Sequence, residues 1–293
     1  MRIVRRIKWP GWLVLVLILT LLLGTIYHFT NTKTKTYAED INSLQQVASE
    51  QVEPSSTHHE VTQEEIKNVE EVTNQKEEQE DQEQITEQKE LDPSGKYVAF
   101  TFDDGPHPKV TPRILQTLSN YNIKATFFML GSQVEKYPDL AKQVANYGHE
   151  IGNHTYSHPN FKKLTTEEMA EEIRRTDEII TLTTGIKPTL FRPPYGIYTD
   201  KVLQYAKANG FSTILWSVDS LDWKSRNASA IHRMITQHTT NGSIILMHDI
   251  HAATADALPQ LIQTLQAKGY EFITVSAFPS IQQHSSDAVY FGL

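Results

Sequence analysis

The chain has 293 residues, a formal net charge of −8 and no cysteine, so it has room for one or two domains and contains neither disulfides nor thiolate-bound metals. Residues 1–38 carry six basic and no acidic residues, residues 39–92 have a net charge of −14, and residues 93–293 balance 18 acidic against 18 basic residues. The neutral third region argues against nucleic-acid binding.

The first predicted element is a membrane-spanning helix. Residues 12–29 form an apolar run of 18 residues without a charge, preceded by four basic residues. Such a run crosses most of a bilayer, and the positive-inside rule predicts a cytoplasmic N-terminus with the remainder outside the cell. A signal peptide cleaved after Ala38, giving a secreted protein, is the alternative. We favour a single-pass anchor over residues 1–38 because the run is longer than a usual signal core and ends well before Ala38.

Residues 39–92 are predicted to be a disordered linker. They are rich in Glu, Gln, Thr and Ser and nearly lack aromatic residues, so they cannot bury enough apolar surface to offset chain entropy. A flexible chain of this length spans on the order of 40 Å, and like-charge repulsion extends it further. The linker would therefore let a domain over residues 93–293 reach polymers near the membrane.

Residues 93–293 alternate short apolar runs with amphipathic helical patterns. Helix starts are predicted at Thr111, which precedes Pro112, and at Thr165, which can form a capping box with Glu168. Repeated strand and helix units predict parallel strands with helices outside, and about seven units in 200 residues favour a distorted or incomplete (β/α) barrel. The strand candidates are residues 97–102, 125–130, 149–152, 189–191, 211–218, 243–247 and 271–275.

The first chemical motif is the pair Asp103 and Asp104, directly after the first strand candidate. Adjacent carboxylates repel each other unless a cation or a proton lies between them. A bound metal would supply that cation. The alternative is an Asp-Gly-Pro turn that only closes the strand.

The second motif contains His154 and His158, four residues apart after the third strand candidate. Pro159 disfavours a helical conformation at His158, so we expect a loop or a single turn. With Asp104, the two histidines would form a three-ligand site with an open position for water, which is typical of catalytic zinc. Two ordinary surface histidines are the alternative.

Three further motifs follow later strand candidates. In the third, two prolines stiffen the chain between Arg192 and Tyr195, which would hold Arg192 against a carboxylate and direct the Tyr195 backbone N–H at an oxyanion. The fourth ends in Asp222 and Trp223, and the fifth contains His248. Each has a structural alternative, such as a turn or core packing. All five motifs fall at carboxyl ends of strands, where barrels place their active sites.

The five motifs, in this order, resemble those of the polysaccharide deacetylase family, carbohydrate esterase family 4. The resemblance covers residues 96–280 and implies a distorted (β/α) barrel, a divalent metal that is usually Zn²⁺, and hydrolysis of acetyl groups on carbohydrates. It implies that Asp103 is the general base, that Arg192 orients it, that Tyr195 supplies the oxyanion N–H and that His248 is the general acid. The other implied roles are metal binding by Asp104, His154 and His158, tuning of His248 by Asp222, and lining of the acetyl pocket by Trp223 and Leu246.

The resemblance, together with the anchor, predicts an extracytoplasmic deacetylase of N-acetylglucosamine units. Some relatives that act on muramic acid lack the second aspartate of the first motif, and this chain keeps Asp104. Peptidoglycan is the favoured substrate because an anchored enzyme lies close to it. Chitooligosaccharides, exopolysaccharides and O-acetylated xylan remain alternatives, as does a wall-binding lectin without activity. Membrane contact is expected through the N-terminal helix, and no protein partner is predicted.

Overall fold

A computed structural model describes residues 91–282 and 289–292. The predicted membrane helix lies outside these residues, as does the predicted acidic linker apart from its last two residues. Both stay predictions, and membrane fractionation tests the first. Among the described residues, no helix combines the length and apolarity needed to cross a membrane.

Within the described ranges, nine short strands form one sheet in which every strand ladder is parallel. The order is β6-β7-β1-β2-β3-β4-β5-β9, and β8 pairs with the start of β1. The sheet curls into an open half-barrel, which agrees with the predicted fold class. The strands are β1 (Lys96–Asp103), β2 (Thr126–Met129), β3 (Glu150–Asn153), β4 (Leu190–Phe191), β5 (Ser212–Ile214), β6 (Val218–Asp219), β7 (Ser243–His248), β8 (Tyr270–Phe272) and β9 (Val289–Tyr290).

Helices connect the strands, as parallel ladders require. Short 3₁₀ turns occur at Phe161–Lys163, Pro194–Gly196 and Val275–Ala277. The α-helices are α1 (Thr111–Asn120), α2 (Gly131–Lys136), α3 (Pro138–Asn146), α4 (Thr166–Thr184), α5 (Asp200–Ala208), α6 (Asp222–Ser225), α7 (Ala228–His238), α8 (Ala252–Ala267) and α9 (Pro279–Gln282).

Alternation along β1 determines which side chains face the barrel interior. Val98, Phe100 and Phe102 belong to the large core that includes residues of α1 and α8, whereas Tyr97 and Ala99 belong to a second, inner cluster. Successive side chains of a strand point to opposite faces. Asp103 therefore lies on the inner face, where Arg192 also contacts it.

The helix starts differ in how they are capped. The Thr165 side chain accepts from the Glu168 N–H and the Glu168 side chain accepts from the Thr165 N–H, which confirms the predicted capping box. The helix predicted at Thr111 is also present, but Val110 occupies its N-cap position and no side chain caps it. The Thr111 hydroxyl instead donates to Asp249, a long-range contact that local sequence does not indicate.

The strand predicted over residues 211–218 is divided into β5 and β6. The Leu215 N–H donates to the carbonyl of Tyr290 and the Ser217 N–H donates to the carbonyl of Ile244. The chain thus changes partner within three residues, from β9 beside β5 to β7 beside β6. β9 was not predicted, because two residues carry no periodic signal.

Candidate active site

The five motifs meet at the carboxyl ends of their strands. β1 ends at Asp103, β7 ends at His248, and His154 follows β3 directly. They surround a cavity of about 460 Å³ that is lined by all the predicted site residues except Arg192 and Asp222. The lining residues are Asp103, Asp104, His154, His158, Pro193, Tyr195, Trp216, Asp219, Trp223, Leu246 and His248.

Asp103 and Arg192 form a buried ion pair at the floor of the cavity. Nη1 of Arg192 donates to Asp103 Oδ1 at 2.7 Å and to the Thr101 hydroxyl at 2.8 Å. The remaining guanidinium donors reach the carbonyls of Ile214 and Leu215 at 3.2 and 2.9 Å. With four hydrogen bonds and full burial, the guanidinium has little freedom to move. It therefore fixes one oxygen of Asp103 and leaves Oδ2 for chemistry.

Asp104, His154 and His158 present three ligand atoms to one point. Asp104 Oδ1 lies 3.6 Å from Nε2 of each histidine, and this buried oxygen has no hydrogen-bond partner among the described residues. Tetrahedral ligands at zinc distances are separated by about 3.4 Å. A buried carboxylate oxygen without a partner costs free energy unless a cation compensates it. The three residues therefore fit a divalent metal.

The environments of His154 and His158 favour their uncharged forms. Burial lowers the pKa of His154 and of His158, so the uncharged imidazoles that bind metals are favoured. The Nδ1 atom of His154 lies 2.7 Å from the carbonyl oxygen of Arg192. That carbonyl can only accept, so Nδ1 carries the proton and the lone pair of Nε2 points at the metal position.

His248 and Asp222 form the second charged pair of the site. Nδ1 of His248 lies 2.7 Å from Asp222 Oδ1, and Asp222 Oδ2 accepts from the His248 backbone N–H and from the Thr254 hydroxyl, each at 2.7 Å. Burial opposes the charged imidazolium, but the hydrogen bond and charge of Asp222, with smaller contributions from Asp103 and Asp104, outweigh it and raise the pKa of His248 to about 9. His248 is therefore protonated at neutral pH and can donate a proton into the cavity.

Tyr195 lines the cavity and has a left-handed backbone conformation. It has the left-handed values φ 59° and ψ 10°, which cost a non-glycine residue about 1–2 kcal/mol. Its ring is exposed and packs edge-on against His158, with 4.5 Å between ring centroids. Trp223 and Leu246 line the same cavity, as the family resemblance implies.

Several residues around the cavity had no role in the sequence interpretation. Trp216 packs against the inner cluster and also lines the cavity. Asp219 lines it as well, and its carboxylate accepts the Leu221 N–H at 2.8 Å. Both residues flank predicted site residues in the fourth motif, so their proximity in sequence was the only available signal.

Asp249 supports the loop that carries the adjacent aspartates. Its buried carboxylate accepts a 2.5 Å hydrogen bond from Thr111, whose hydroxyl in turn accepts the His107 N–H. Burial raises the pKa of Asp249 to about 7. A Cβ atom on Gly105 would lie 2.0 Å from this carboxylate, so only glycine fits at that position. The sequence predicted a turn there but not its contact with Asp249.

A second group of possible metal ligands consists of Asp222, His248 and His251. Here both oxygens of Asp222 already accept hydrogen bonds, and the charged His248 has no lone pair for a cation. This group is therefore better described as a hydrogen-bonded pair with a neighbouring histidine. In contrast, the buried Oδ1 atom of Asp104 has no hydrogen-bond partner among the residues that the structure describes.

The comparisons with known proteins agree with this geometry. A family model described as polysaccharide deacetylase matches residues 90–214. A Bacillus cereus protein named peptidoglycan-N-acetylglucosamine deacetylase is 42% identical over 202 residues, which cover 66% of this chain and 72% of that protein. The Bacillus subtilis peptidoglycan-N-acetylmuramic acid deacetylase PdaC is 39% identical over 199 residues, but this chain spans only 42% of its length.

A solved structure described as T48 deacetylase with substrate shares the fold. It has 40% sequence identity and a TM-score of 0.64, and the alignment covers 68% of this chain and 99% of that chain. The match thus spans nearly the whole of that solved chain. On these grounds the chain belongs to the polysaccharide deacetylase family and is a hydrolase.

Proposed function

We propose that this protein removes N-acetyl groups from N-acetylglucosamine units of peptidoglycan, in a metal-dependent reaction outside the cell. The observation that carries the chemistry is the unpartnered Asp104 oxygen facing two neutral histidines, in the same cavity as Asp103 and the protonated His248. The substrate is supported by the name of the Bacillus cereus relative. The extracellular location is supported only by the predicted anchor.

Asp104, His154 and His158 would hold the cation, and zinc suits a donor set of one carboxylate and two imidazoles. When bound, such a cation would lower the pKa of a water molecule and polarise the acetyl carbonyl. The side chains of the protein supply the remaining steps.

The two charged pairs would divide the proton transfers between them. Asp103, held through Oδ1 by Arg192, would accept the proton of the attacking water at Oδ2. The Tyr195 backbone N–H would donate to the oxyanion of the tetrahedral intermediate. Nε2 of His248 would then protonate the departing amine, since its Nδ1 atom is occupied by Asp222. Acetate and a free glucosamine unit would be the products.

Replacing Asp222 with Asn should shift the alkaline limb of the pH–rate profile to lower pH. The Asp222 carboxylate raises the pKa of His248 to about 9 against the effect of burial. Without that charge, burial would lower the pKa of His248, and the acid would lose its proton at a lower pH. The profile of kcat/KM for the two proteins, each loaded with zinc, measures the shift.

The His248–Asp222 pair also determines how the stability of the fold changes with pH. A raised pKa means that protonated His248 stabilises the fold fully below its unfolded pKa of about 6.5, and that this contribution is lost as the pH rises through about 9. The Asp222→Asn variant should lack this contribution. Asp256→Asn, at an exposed carboxylate, provides the control.

In the pH–rate measurement, an alkaline limb that Asp222→Asn leaves unchanged would contradict the assignment of His248 as the general acid.

The proposed substrate is tested by profiling acetate release. Peptidoglycan, chitooligosaccharides and acetylxylan would be incubated with the protein, and digested peptidoglycan would be examined by mass spectrometry for glucosamine and muramic acid. Peptidoglycan that loses acetate from glucosamine supports the proposal. Loss from muramic acid would favour the activity named for PdaC, preference for acetylxylan would identify an esterase, and no metal-dependent release would favour a lectin.

A further inference from the structure

We propose that Glu172 on α4 is a positioning residue that holds the histidine loop, residues 154–158, in its metal-binding conformation. The inference rests on the proposed metal site and adds a residue to it that no motif contains. Glu172 lies in the middle of a helix whose sequence reads as an ordinary charged, solvent-exposed face. Its contacts distinguish it from its neighbours.

The histidine loop has a conformation that needs support. Thr155 and His158 have positive φ values of 70° and 60°, each of which costs a non-glycine residue about 1–2 kcal/mol. Within the loop, the Thr155 N–H donates to the Asn153 side chain at 2.9 Å, and the His158 N–H donates to the Thr155 hydroxyl at 3.2 Å. These bonds fix the two ends but leave the amides of residues 156 and 157 unpaired by the loop itself.

Glu172 binds those two amides. Its Oε2 atom accepts the Tyr156 N–H at 2.9 Å and the Ser157 N–H at 2.8 Å, and its Oε1 atom accepts the Ser157 hydroxyl at 2.7 Å. One side chain thus ties down the two residues that immediately precede His158.

Further contacts join the loop to α4 and α2. On α4, the carbonyl of Ile173 accepts from the Asn153 side chain at 2.8 Å, and the guanidinium of Arg175 lies 3.6 Å from the centre of the Tyr156 ring. On α2, Glu135 accepts from the Tyr156 hydroxyl at 2.6 Å. Glu172 therefore acts from a helix that also contacts the residue before the loop and the Tyr156 ring.

The two histidines should depend on Glu172 to different degrees. The His154 ring is buried and fixed independently by the Arg192 carbonyl. The His158 side chain is 24% exposed, and its contact with the Tyr195 ring is edge-on. The position of its imidazole therefore depends on the backbone that Glu172 holds. Loss of Glu172 should therefore weaken metal binding through His158 rather than remove the site.

Glu172→Ala in the full chain should lower zinc affinity by about 10- to 100-fold, the usual effect of losing a group that orients a metal ligand. Competition with a chelator measures this affinity independently of activity. Glu172→Gln should stay close to the original protein, because its amide oxygen can accept both N–H groups and its NH₂ group can donate to the Ser157 hydroxyl. Rescue by Gln would show that geometry, not charge, matters.

Glu167→Ala is the matched control, because Glu167 lies on the same helix and lines a surface cavity together with Glu172, whereas the loop amides donate to Glu172. It should leave zinc affinity unchanged. If the Ala variant fails to fold, Glu172→Asp keeps the charge but is one methylene too short, and should weaken zinc binding in the same way.

A folded Glu172→Ala or Glu172→Asp variant whose zinc affinity stays within about twofold of the original protein, a difference of about 0.4 kcal/mol, would overturn the positioning role. Weak binding by Glu172→Gln equal to that of Ala would also overturn it. Failure of the original protein to bind zinc or another divalent cation would instead refute the proposed metal site. The two failures are therefore distinguishable.

Discussion

Replacing Asp103 with Asn should reduce kcat on N-acetylated substrate by about 10²-fold or more, while zinc stays bound. Asn has nearly the shape of Asp and can still accept the hydrogen bond that Arg192 donates at 2.7 Å. It cannot accept the proton of an attacking water. Because Asp104, His154 and His158 are unchanged, zinc affinity should change far less than turnover.

This substitution should also lower the melting temperature. Arg192 is fully buried, and Asp103 is the acid that forms an ion pair with it in the described structure. Removing one partner of a buried pair commonly costs about 3–5 kcal/mol. Turnover must therefore be measured well below the melting temperature and normalised to folded, zinc-loaded protein. Asp139→Asn, at a highly exposed carboxylate, controls for the change of charge.

Near-normal turnover in folded Asp103→Asn would show that Asp103 is not the general base. The metal site and the fold could then still be right, since neither needs Asp103 as a ligand. Loss of zinc together with turnover would instead indicate that Asp103 helps to bind the cation. Its Oδ2 atom lies 3.6 Å from Nε2 of His154, so this outcome has a clear structural origin.

Replacing His154 with Ala should lower zinc affinity by more than about 100-fold, the upper end of the effect expected for an orienting residue such as Glu172. His154 is buried and its orientation is set by the Arg192 carbonyl, so the Ala variant loses one of the three ligand atoms directed at the metal position. Asp104→Ala should have a similar effect, because it removes the oxygen that lies 3.6 Å from both histidines. Turnover should fall with zinc occupancy in both variants.

His238→Ala is the matched control, because His238 is exposed and, in the part of the chain that the structure describes, hydrogen-bonds only to the Met234 carbonyl of its own helix. Calorimetry or chelator competition measures affinity in all of these proteins. A structure with zinc should place the three ligand atoms about 2.0–2.2 Å from the ion. Unchanged affinity in His154→Ala or Asp104→Ala would refute the site.

The sequence alone determined the elements and the chemistry-bearing positions of the described domain. Apolar runs predicted seven of the strand regions, and the Thr165–Glu168 capping box was predicted down to its residues. Such signals are local, since alternation, caps and turns depend on residues a few positions apart. The motifs also named Asp103, Asp104 and both histidines, because reactive side chains at strand ends have few structural alternatives in that combination.

Only the tertiary structure decided which groups contact these positions. Asp249 accepts the Thr111 hydroxyl across 138 residues of sequence, and Glu172 accepts the amides of the histidine loop across 15 to 16 residues. The partner change between β5 and β6 likewise depends on β9 and β7. The pKa of His248 reaches about 9, against the lowering effect of burial, because folding brings Asp222 into hydrogen-bond contact with it. Burial and the distances between remote segments determine these properties, and the local pattern of residues indicates neither of them.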